Sequence, residues 1–275
     1  MYVLGIVGPS DSGKTRLVES LAARLAERGR VAAVKRLGES PTIDTAGTDT
    51  DRHREAGAAT TYGLADGEWF AAGVDRTLAE TLDELASSHD YALVEGFADA
   101  AIPQVALGGR DHRGETVATA EDADGIDTGA VIEALESTEP YVTLDALVRR
   151  AKDSDWADRA GAIATFTGRV RERDGVEDAP TEFLEFETYE GVAERRLATI
   201  REELEAREGV YEVLMHHRTG VIESGADIVF VVVLAGHREE AFRTVEDGID
   251  RLKDEVPIFK KEVTADEEFW VHTRV

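Results

Sequence analysis

The chain has 275 residues, 42% of them hydrophobic, which suffices for two separate hydrophobic cores. It contains no cysteine, and this excludes disulfides, thiolate metal sites and cysteine nucleophiles. Its 57 acidic and 31 basic residues give a net charge of −26, so nucleic acids and anionic membranes are unfavourable partners. No apolar run approaches the roughly 20 residues of a membrane span, and we expect a soluble cytoplasmic protein.

The acidic residues are dispersed along the whole chain, and only six of the basic residues are lysines. A dispersed acidic surface with little lysine is typical of proteins adapted to a salty cytoplasm. We therefore hypothesise that the protein is halophilic, and folding that stays intact at very low salt would contradict this.

The first half of the chain alternates apolar runs with segments of helical spacing. The predicted strands lie at 2–8, 31–37, near 60–72, 91–97 and 103–109. The predicted helices lie at 15–29, 52–57, 75–87 and 126–137. Such alternation predicts an α/β unit with a mainly parallel sheet covered by helices. The segment 109–126 is polar and turn-rich, and we predict no element in it.

Residues 8–15 read GPSDSGKT and fit the pattern G-x-x-x-x-G-K-[S/T] between a predicted strand and a predicted helix. In this pattern the backbone amides of the loop and the helix N-terminus surround a phosphate, and the lysine reaches the terminal phosphates. We therefore predict a fold of the P-loop NTPase type. The predicted nucleotide-binding residues are Gly8, Pro9, Ser10, Asp11, Ser12, Gly13, Lys14 and Thr15.

A bound nucleotide also requires oxygen ligands for Mg²⁺. The Thr15 hydroxyl is one predicted ligand, and Glu95 is another because it follows the buried run YALV at the end of a strand. Asp49 is the third predicted ligand, with Asp44 of the same loop as an alternative. A solvated surface carboxylate explains these two loop residues equally well.

Together with GPSDSGKT, the stretches VKR (34–36), TAGTDTDRHREAGA (45–58) and LVEGF (93–97) resemble the MobB family. Members of this family are adapter proteins of molybdopterin-guanine dinucleotide biosynthesis, and the resemblance covers residues 1–138. It implies that this half binds GTP and Mg²⁺, with weak GTPase activity, and assists guanylylation of the cofactor. The chain departs from the family at Lys35–Arg36, where members usually carry lysine and histidine.

A different pattern begins after the predicted domain boundary at 138–142. The predicted strands lie at 161–170, 182–190, 211–220, 226–236, 258–263 and 268–273. The predicted helices lie at 143–151, 191–208 and 238–254. Two long helices on a mixed sheet predict an α+β sandwich.

This half contains GAIATFTGRVRER, HHRTG, AGHREEAF, IDRLKDEVPIFKKE and FWVHTR in that order. Over residues 139–275 these stretches resemble MoaE, the catalytic large subunit of molybdopterin synthase. The resemblance implies the fold of that subunit and a sulfurtransferase reaction. A small ubiquitin-like partner, similar to MoaD, delivers sulfur from a Gly-Gly thiocarboxylate to cyclic pyranopterin monophosphate, forming the dithiolene of molybdopterin. It also implies a homodimer with one partner molecule on each subunit.

The essential lysines of the family fall at Lys253 and Lys260, which we predict to be catalytic. Unlike an arginine, a lysine can release its proton and act as an acid, a base or a nucleophile. Both reactants are anions, so we expect one cationic pocket around these amines. The other predicted substrate-binding residues are Arg171, His237, Arg238, Arg274, Phe166 and Glu262. Arg169 is an alternative to Arg171, and His237 has an alternative role as a helix cap.

Two other functions remain open at this stage. The chain could be a GTP-dependent adapter that docks the small partner without transferring sulfur, but the presence of both Lys253 and Lys260 disfavours this. It could instead be a P-loop small-molecule kinase, although residues 38–75 contain no recognisable catalytic base or lid.

Overall fold

The computed structural model describes residues 1–39, 47–173, 175, 179–188, 191–264 and 268–271, the last range as backbone alone. The chain folds into two compact units, Met1–Tyr141 and Val142–Val275. Asp44 and Arg274 lie outside the described residues. No helix in the described part of the chain combines the length and the apolar character that crossing a bilayer requires.

The strands of the first unit are β1 (Tyr2–Val7), β2 (Val31–Lys35), β3 (Thr60–Ala65), β4 (Glu68–Gly73), β5 (Tyr91–Glu95), β6 (Gln104–Leu107) and β7 (Thr116–Ala120). Its helices are α1 (Lys14–Leu25), α2 (Asp49–Glu55), α3 (Leu78–Ala86) and α4 (Thr128–Glu136). Five strands form a parallel sheet in the order β2-β5-β1-β6-β7. Strands β3 and β4 form a separate antiparallel hairpin.

Helices cover both faces of the parallel sheet. Leu17, Leu21 and Leu25 repeat every four residues along α1, so they face the sheet on one side, together with α4. Helix α3 packs on the other face through Leu82 and begins after Thr77, whose side chain forms a capping box with Glu80. The predicted α/β architecture of this unit is therefore confirmed.

Strand β7 was not predicted, because its sequence, TVATA, lies within a polar, turn-rich segment. It is an edge strand whose residues are half-buried or exposed, so it lacks the apolar run that indicated the other strands. Helix α2 begins three residues before the prediction, since Thr48 caps its N-terminus by accepting a hydrogen bond from the Asp51 amide.

The strands of the second unit are β8 (Ala162–Arg169), β9 (Thr181–Thr188), β10 (Val210–His217), β11 (Gly220–Glu223), β12 (Asp227–Ala235), β13 (Ile258–Thr264) and β14 (Glu268–Val271). Its helices are α5 (Leu144–Lys152), α6 (Val192–Glu205) and α7 (Arg238–Glu255). The strands form two sheets, in the orders β10-β12-β8 and β11-β9-β13-β14.

All described pairings in these two sheets are antiparallel, so the predicted single mixed sheet is wrong. The predicted strand 211–220 ends at His217, and the chain enters the second sheet at Gly220, where φ is 75°. Val231 and Val233 of β12 are fully buried, and α6 and α7 pack on this side of the sheet through Leu204 and Leu252. The predicted α+β class of this unit is confirmed.

Candidate functional site

The loop between β1 and α1 carries the eight residues of the phosphate-binding pattern. Asp11 and Gly13 adopt left-handed backbone conformations, with φ of 66° and 84°. The Lys14 side chain folds back over the loop, where its Nζ atom donates hydrogen bonds to the carbonyl oxygens of Gly8, at 3.0 Å, and of Pro9. The lysine amine therefore lies against the same loop whose amides would surround a phosphate.

Two glycines allow the loop to close tightly. A Cβ atom at Gly8 would lie 2.7 Å from Ser12 Oγ and 2.8 Å from Leu107 Cβ. One at Gly13 would lie 2.8 Å from Ala123 Cβ, besides being strained by the positive φ. A side chain at either position would therefore collide with a neighbouring residue, so both positions require glycine.

A polar cluster lies beside this loop at the carboxyl end of β5. The Thr15 hydroxyl donates to the Glu95 carboxylate, with Oγ1 3.2 Å from Oε1 and 3.3 Å from Oε2. The Lys35 Nζ atom lies 3.0 Å from Glu95 Oε1 and 3.3 Å from Thr15 Oγ1. Lys35 was not predicted as a site residue, because its position opposite Glu95 follows from the pairing of β2 with β5.

This cluster fits Mg²⁺, which prefers oxygen ligands and retains several of its waters. Thr15 and Glu95 would hold the ion, which would offset the negative charge of the phosphates. Among the described residues, no three His, Cys, Asp or Glu side chains lie together in a way that could hold a metal ion.

Asp49 occupies the first turn of α2, where its exposed carboxylate pairs with Arg52 at 3.4 Å. Within the described ranges no hydrogen bond or ion pair joins Asp49 to Thr15 or Glu95. Its role as a metal ligand stays a prediction.

In the second unit, Lys253 and Lys260 lie on either side of one turn. Lys253 is in the last turn of α7, the chain turns at Val256 and Pro257, and β13 then carries Lys260. The exposed Lys253 places its Nζ atom 5.9 Å from the ring centroid of Phe166. Phe166 is partly buried and packs against the core, so the ring that faces the amine is held in place.

The second amine belongs to a half-buried cluster of three polar side chains. The Lys260 Nζ atom lies 3.3 Å from Glu262 Oε2, and the Thr181 hydroxyl donates to Glu262 Oε1 at 2.6 Å. Lys260 and Glu262 share one face of β13, since side chains alternate along a strand. Lys261 projects from the opposite face and pairs with Glu185 at 3.9 Å. Thr181 was not predicted, because only the pairing of β9 with β13 brings it to Glu262.

The predicted cations divide between the two ends of α7. Arg171 is exposed and follows β8 by two residues, so it lies toward the end of the sheet that Phe166 and Lys253 share. His237 and Arg238 lie at the other end of the helix. Arg238 precedes Lys253 by 15 positions, which in an α-helix is roughly 22 Å.

Within one chain, α7 therefore holds Arg238 and Lys253 at its opposite ends, and the expectation of one cationic pocket stays a prediction. His237 is the N-cap residue of α7, but its side chain makes no capping hydrogen bond. The alternative contact, Arg169, donates to the Gly225 carbonyl and pairs with Asp227 at 3.4 Å. The substrate-binding roles of His237 and Arg238 stay predictions.

Comparison with known proteins assigns the two units separately. Residues 3–133 match the family of molybdopterin guanine dinucleotide synthesis protein B, MobB, and residues 138–255 match the MoaE protein family. A probable molybdopterin synthase of Haloferax volcanii is 58% identical over 275 residues, which is 100% of each chain.

Two further relatives match the second unit. The molybdopterin synthase catalytic subunit of Cereibacter sphaeroides is 42% identical over 118 residues, 43% of this chain and 78% of that protein. The crystal structure of molybdopterin synthase from Staphylococcus aureus is 36% identical, covering 42% of this chain and 83% of its own, with a TM-score of 0.40. The chain therefore belongs to the molybdopterin synthase family of molybdenum cofactor biosynthesis and joins a MobB domain to a MoaE domain.

Proposed function

We propose that residues 139–275 transfer sulfur from the thiocarboxylated C-terminus of a small ubiquitin-like protein to cyclic pyranopterin monophosphate. The observation that carries this proposal is the pair of amines, Lys253 and Lys260, on either side of one turn. Few side chains other than an amine can both attract an anionic reactant and exchange a proton with it. The same pair favours an enzyme over an adapter that merely docks the partner.

The residues have distinct roles in this reaction. The partner's glycine tail extends toward Lys253, whose amine exchanges protons with the reacting groups as sulfur leaves the acyl carbon. The sulfur bonds to a side-chain carbon of the substrate while a carbon–oxygen bond at that carbon breaks. Water replaces the sulfur on the acyl carbon, so the partner is released with an ordinary carboxylate. Two partner molecules are used in turn, because a dithiolene contains two sulfurs. Lys260 holds an anionic group of the substrate, and Phe166 offers an aromatic edge to the pterin ring.

The test is a synthesis assay with thiocarboxylated partner and cyclic pyranopterin monophosphate, in which the product is detected as its oxidised fluorescent pterin. We expect Lys253→Ala to abolish the product without loss of partner binding. Lys152→Ala, which removes an exposed lysine from α5, is the matched control. Undiminished synthesis by Lys253→Ala would contradict the proposal and favour the adapter.

We also propose that the protein acts as a homodimer in which each sulfur-transfer site uses two chains. The distance between Arg238 and Lys253 along α7 supports this, because cations at both ends of the helix can serve one substrate only across an interface between chains. An isologous arrangement would create two equivalent sites.

For residues 1–138 we propose binding of GTP with Mg²⁺ in support of guanylylation of the cofactor. The preformed loop, the folded-back Lys14 and the contact between Thr15 and Glu95 support this proposal. Lys14 would turn from the Gly8 and Pro9 carbonyls to the terminal phosphates when nucleotide binds.

Titration with a fluorescent GTP analogue tests nucleotide binding. We expect Lys14→Ala to weaken binding by at least roughly tenfold, the loss of one charge-assisted contact. Thr15→Ala should remove most of the dependence on Mg²⁺, and Lys152→Ala should change neither quantity. Transfer of phosphate from GTP or ATP to a pterin would instead favour the small-molecule kinase.

A further inference from the structure

A groove of about 580 Å³ lies on the face of the parallel sheet that α3 covers, and its lining includes Arg36, the neighbour of Lys35 in the chain. Its floor is apolar and includes Leu78, Leu82 and Ile102, while Arg36 and Asp99 form its polar rim. This volume is within the range of sites that bind small molecules. The MobB resemblance and the proposed nucleotide site assign no role to these residues.

Two residues that line the groove, Arg36 and Phe97, lie close to the predicted magnesium ligand Glu95. The Arg36 amide donates to the Glu95 carbonyl at 2.9 Å, and two residues after Glu95 the chain reaches Phe97 in the groove wall. Glu95 and Thr15 mark the side of the loop where the metal and the terminal phosphates would lie. The part of the groove that Arg36 and Phe97 line is therefore on this side of the loop.

The opposite side of the loop is bordered by the segment after β7. The Ala123 amide donates to the Ser12 carbonyl at 3.0 Å, and Arg16 pairs with Asp124 at 2.5 Å. A nucleotide whose terminal phosphates face Glu95 would direct its base toward this segment. The groove on the Glu95 side is thus placed for a second ligand.

The rim of the groove presents hydrogen-bond donors and acceptors side by side. Arg36 binds Asp99 through two hydrogen bonds of 2.8 and 3.0 Å, and its guanidinium lies 4.5 Å from the ring centroid of Phe97. These hydrogen bonds hold the pKa of the Asp99 carboxyl below its usual value, so the group is ionised at neutral pH. A guanidinium has five N–H donors and a carboxylate about four acceptor positions, so both groups retain bonding capacity beyond this pair.

The wall that carries Phe97 and Asp99 is fixed from inside the protein. Gln104 is fully buried, and its Nε2 atom donates to the carbonyls of Ala100 at 2.8 Å and Arg113 at 2.7 Å. Because the backbone after β5 is anchored in this way, the rim is preorganised for a ligand.

We propose that this groove binds a pterin through the 2-amino-4-oxopyrimidine edge of its ring. The 2-amino group and ring N–H donate to the Asp99 carboxylate, the 4-oxo group accepts from Arg36, and the ring lies on the apolar floor. The proposal deepens the role proposed for the MobB half, since a pterin here would lie beside the terminal phosphates of GTP.

Guanine carries the same pyrimidine edge, so the experiment must separate the two sources. We would titrate the full chain with 6-hydroxymethylpterin, whose fluorescence reports binding, and in parallel with GDP. Asp99→Asn is the principal variant, because this exposed residue can change without loss of packing. Asp66→Asn in the turn between β3 and β4 is its matched control. Phe166→Leu identifies any pterin bound by the MoaE half, because Phe166 is the proposed pterin contact there.

We expect one component of pterin binding to be unchanged in Phe166→Leu and Asp66→Asn. Asp99→Asn and Arg36→Ala should each weaken this component by roughly tenfold. Lumazine carries an oxygen in place of the 2-amino group, and the unaltered protein should bind it roughly tenfold more weakly at this component.

Pterin titrations that are identical in the unaltered protein and in Asp99→Asn would overturn the proposal. So would a loss of GDP affinity in Asp99→Asn with unchanged pterin binding, because that result would make the groove the base site. A failure of the proposed nucleotide site would look different from a failure of this proposal. It would appear as GTP binding that is unchanged in Lys14→Ala.

Discussion

At the scale of single residues, Glu262 connects the groups around the second lysine. Its carboxylate accepts a 2.6 Å hydrogen bond from Thr181 and pairs with Lys260 at 3.3 Å. Thr181 is 6% exposed, so water cannot readily replace its hydroxyl. We therefore expect Thr181 to act as a positioning residue that fixes Glu262 and, through it, the Lys260 amine.

This arrangement predicts that Thr181→Val slows synthesis of the pterin product. We expect a loss of roughly tenfold in kcat, equivalent to about 1.4 kcal/mol, because the orienting hydrogen bond to a charged group disappears. Thr181→Ser retains the hydroxyl and should restore most of the rate. Equal rates for the valine and serine variants would show that the hydroxyl does not position the lysine.

At the scale of elements, β10 carries two adjacent histidines whose rings enter different environments. His217 meets Phe186 edge-on, with ring centroids 4.9 Å apart, and its Nδ1 atom lies 2.7 Å from the Arg218 carbonyl oxygen. His216 stacks on Phe230 at 6.5 Å. Burial lowers the pKa of each histidine to about 4, and the Arg218 charge adds to the effect at His216. Both are therefore neutral in the folded protein at neutral pH.

This strand should make the second unit sensitive to acid. Below about pH 6.5 the unfolded chain binds protons at these histidines while the folded chain does not, so stability should fall from there down to about pH 4. We expect the melting temperature of this unit to depend less on pH in His216→Phe than in the unaltered protein over that range. His112→Phe, in the first unit, is a control, and parallel pH profiles for all three proteins would refute the prediction.

At the scale of the whole molecule, α7 places Lys253 and Arg238 at opposite ends, and we predict that variants at the two positions complement each other. Lys253→Ala and Arg238→Ala should each lack synthesis activity alone. After the two proteins are unfolded together and refolded as mixed dimers, we expect about a quarter of the normal activity, because half the dimers are mixed and each contains one intact site. Sites built from single chains would give no recovery at all.

The charge of the whole chain leads to a further prediction. A net charge of −26 destabilises the compact state by self-repulsion, and added salt screens this repulsion. Raising the salt from about 0.1 M to about 1 M shortens the screening length from about 10 Å to about 3 Å. We expect the melting temperatures of both units to rise over this range, and a fully folded, equally stable protein at very low salt would argue against halophilic adaptation.

The sequence alone determined the class of each unit and the phosphate-binding loop, because apolar periodicity and a contiguous pattern are local properties of the chain. It also located both lysines, since each lies within a recognisable stretch. The tertiary structure alone decided that Lys35 meets Glu95, that Thr181 meets Glu262, and that β7 completes the parallel sheet. It also separated Arg238 from Lys253. Each of these facts depends on strand pairing or on helix length, which bring together or hold apart residues whose spacing in the chain carries no such information.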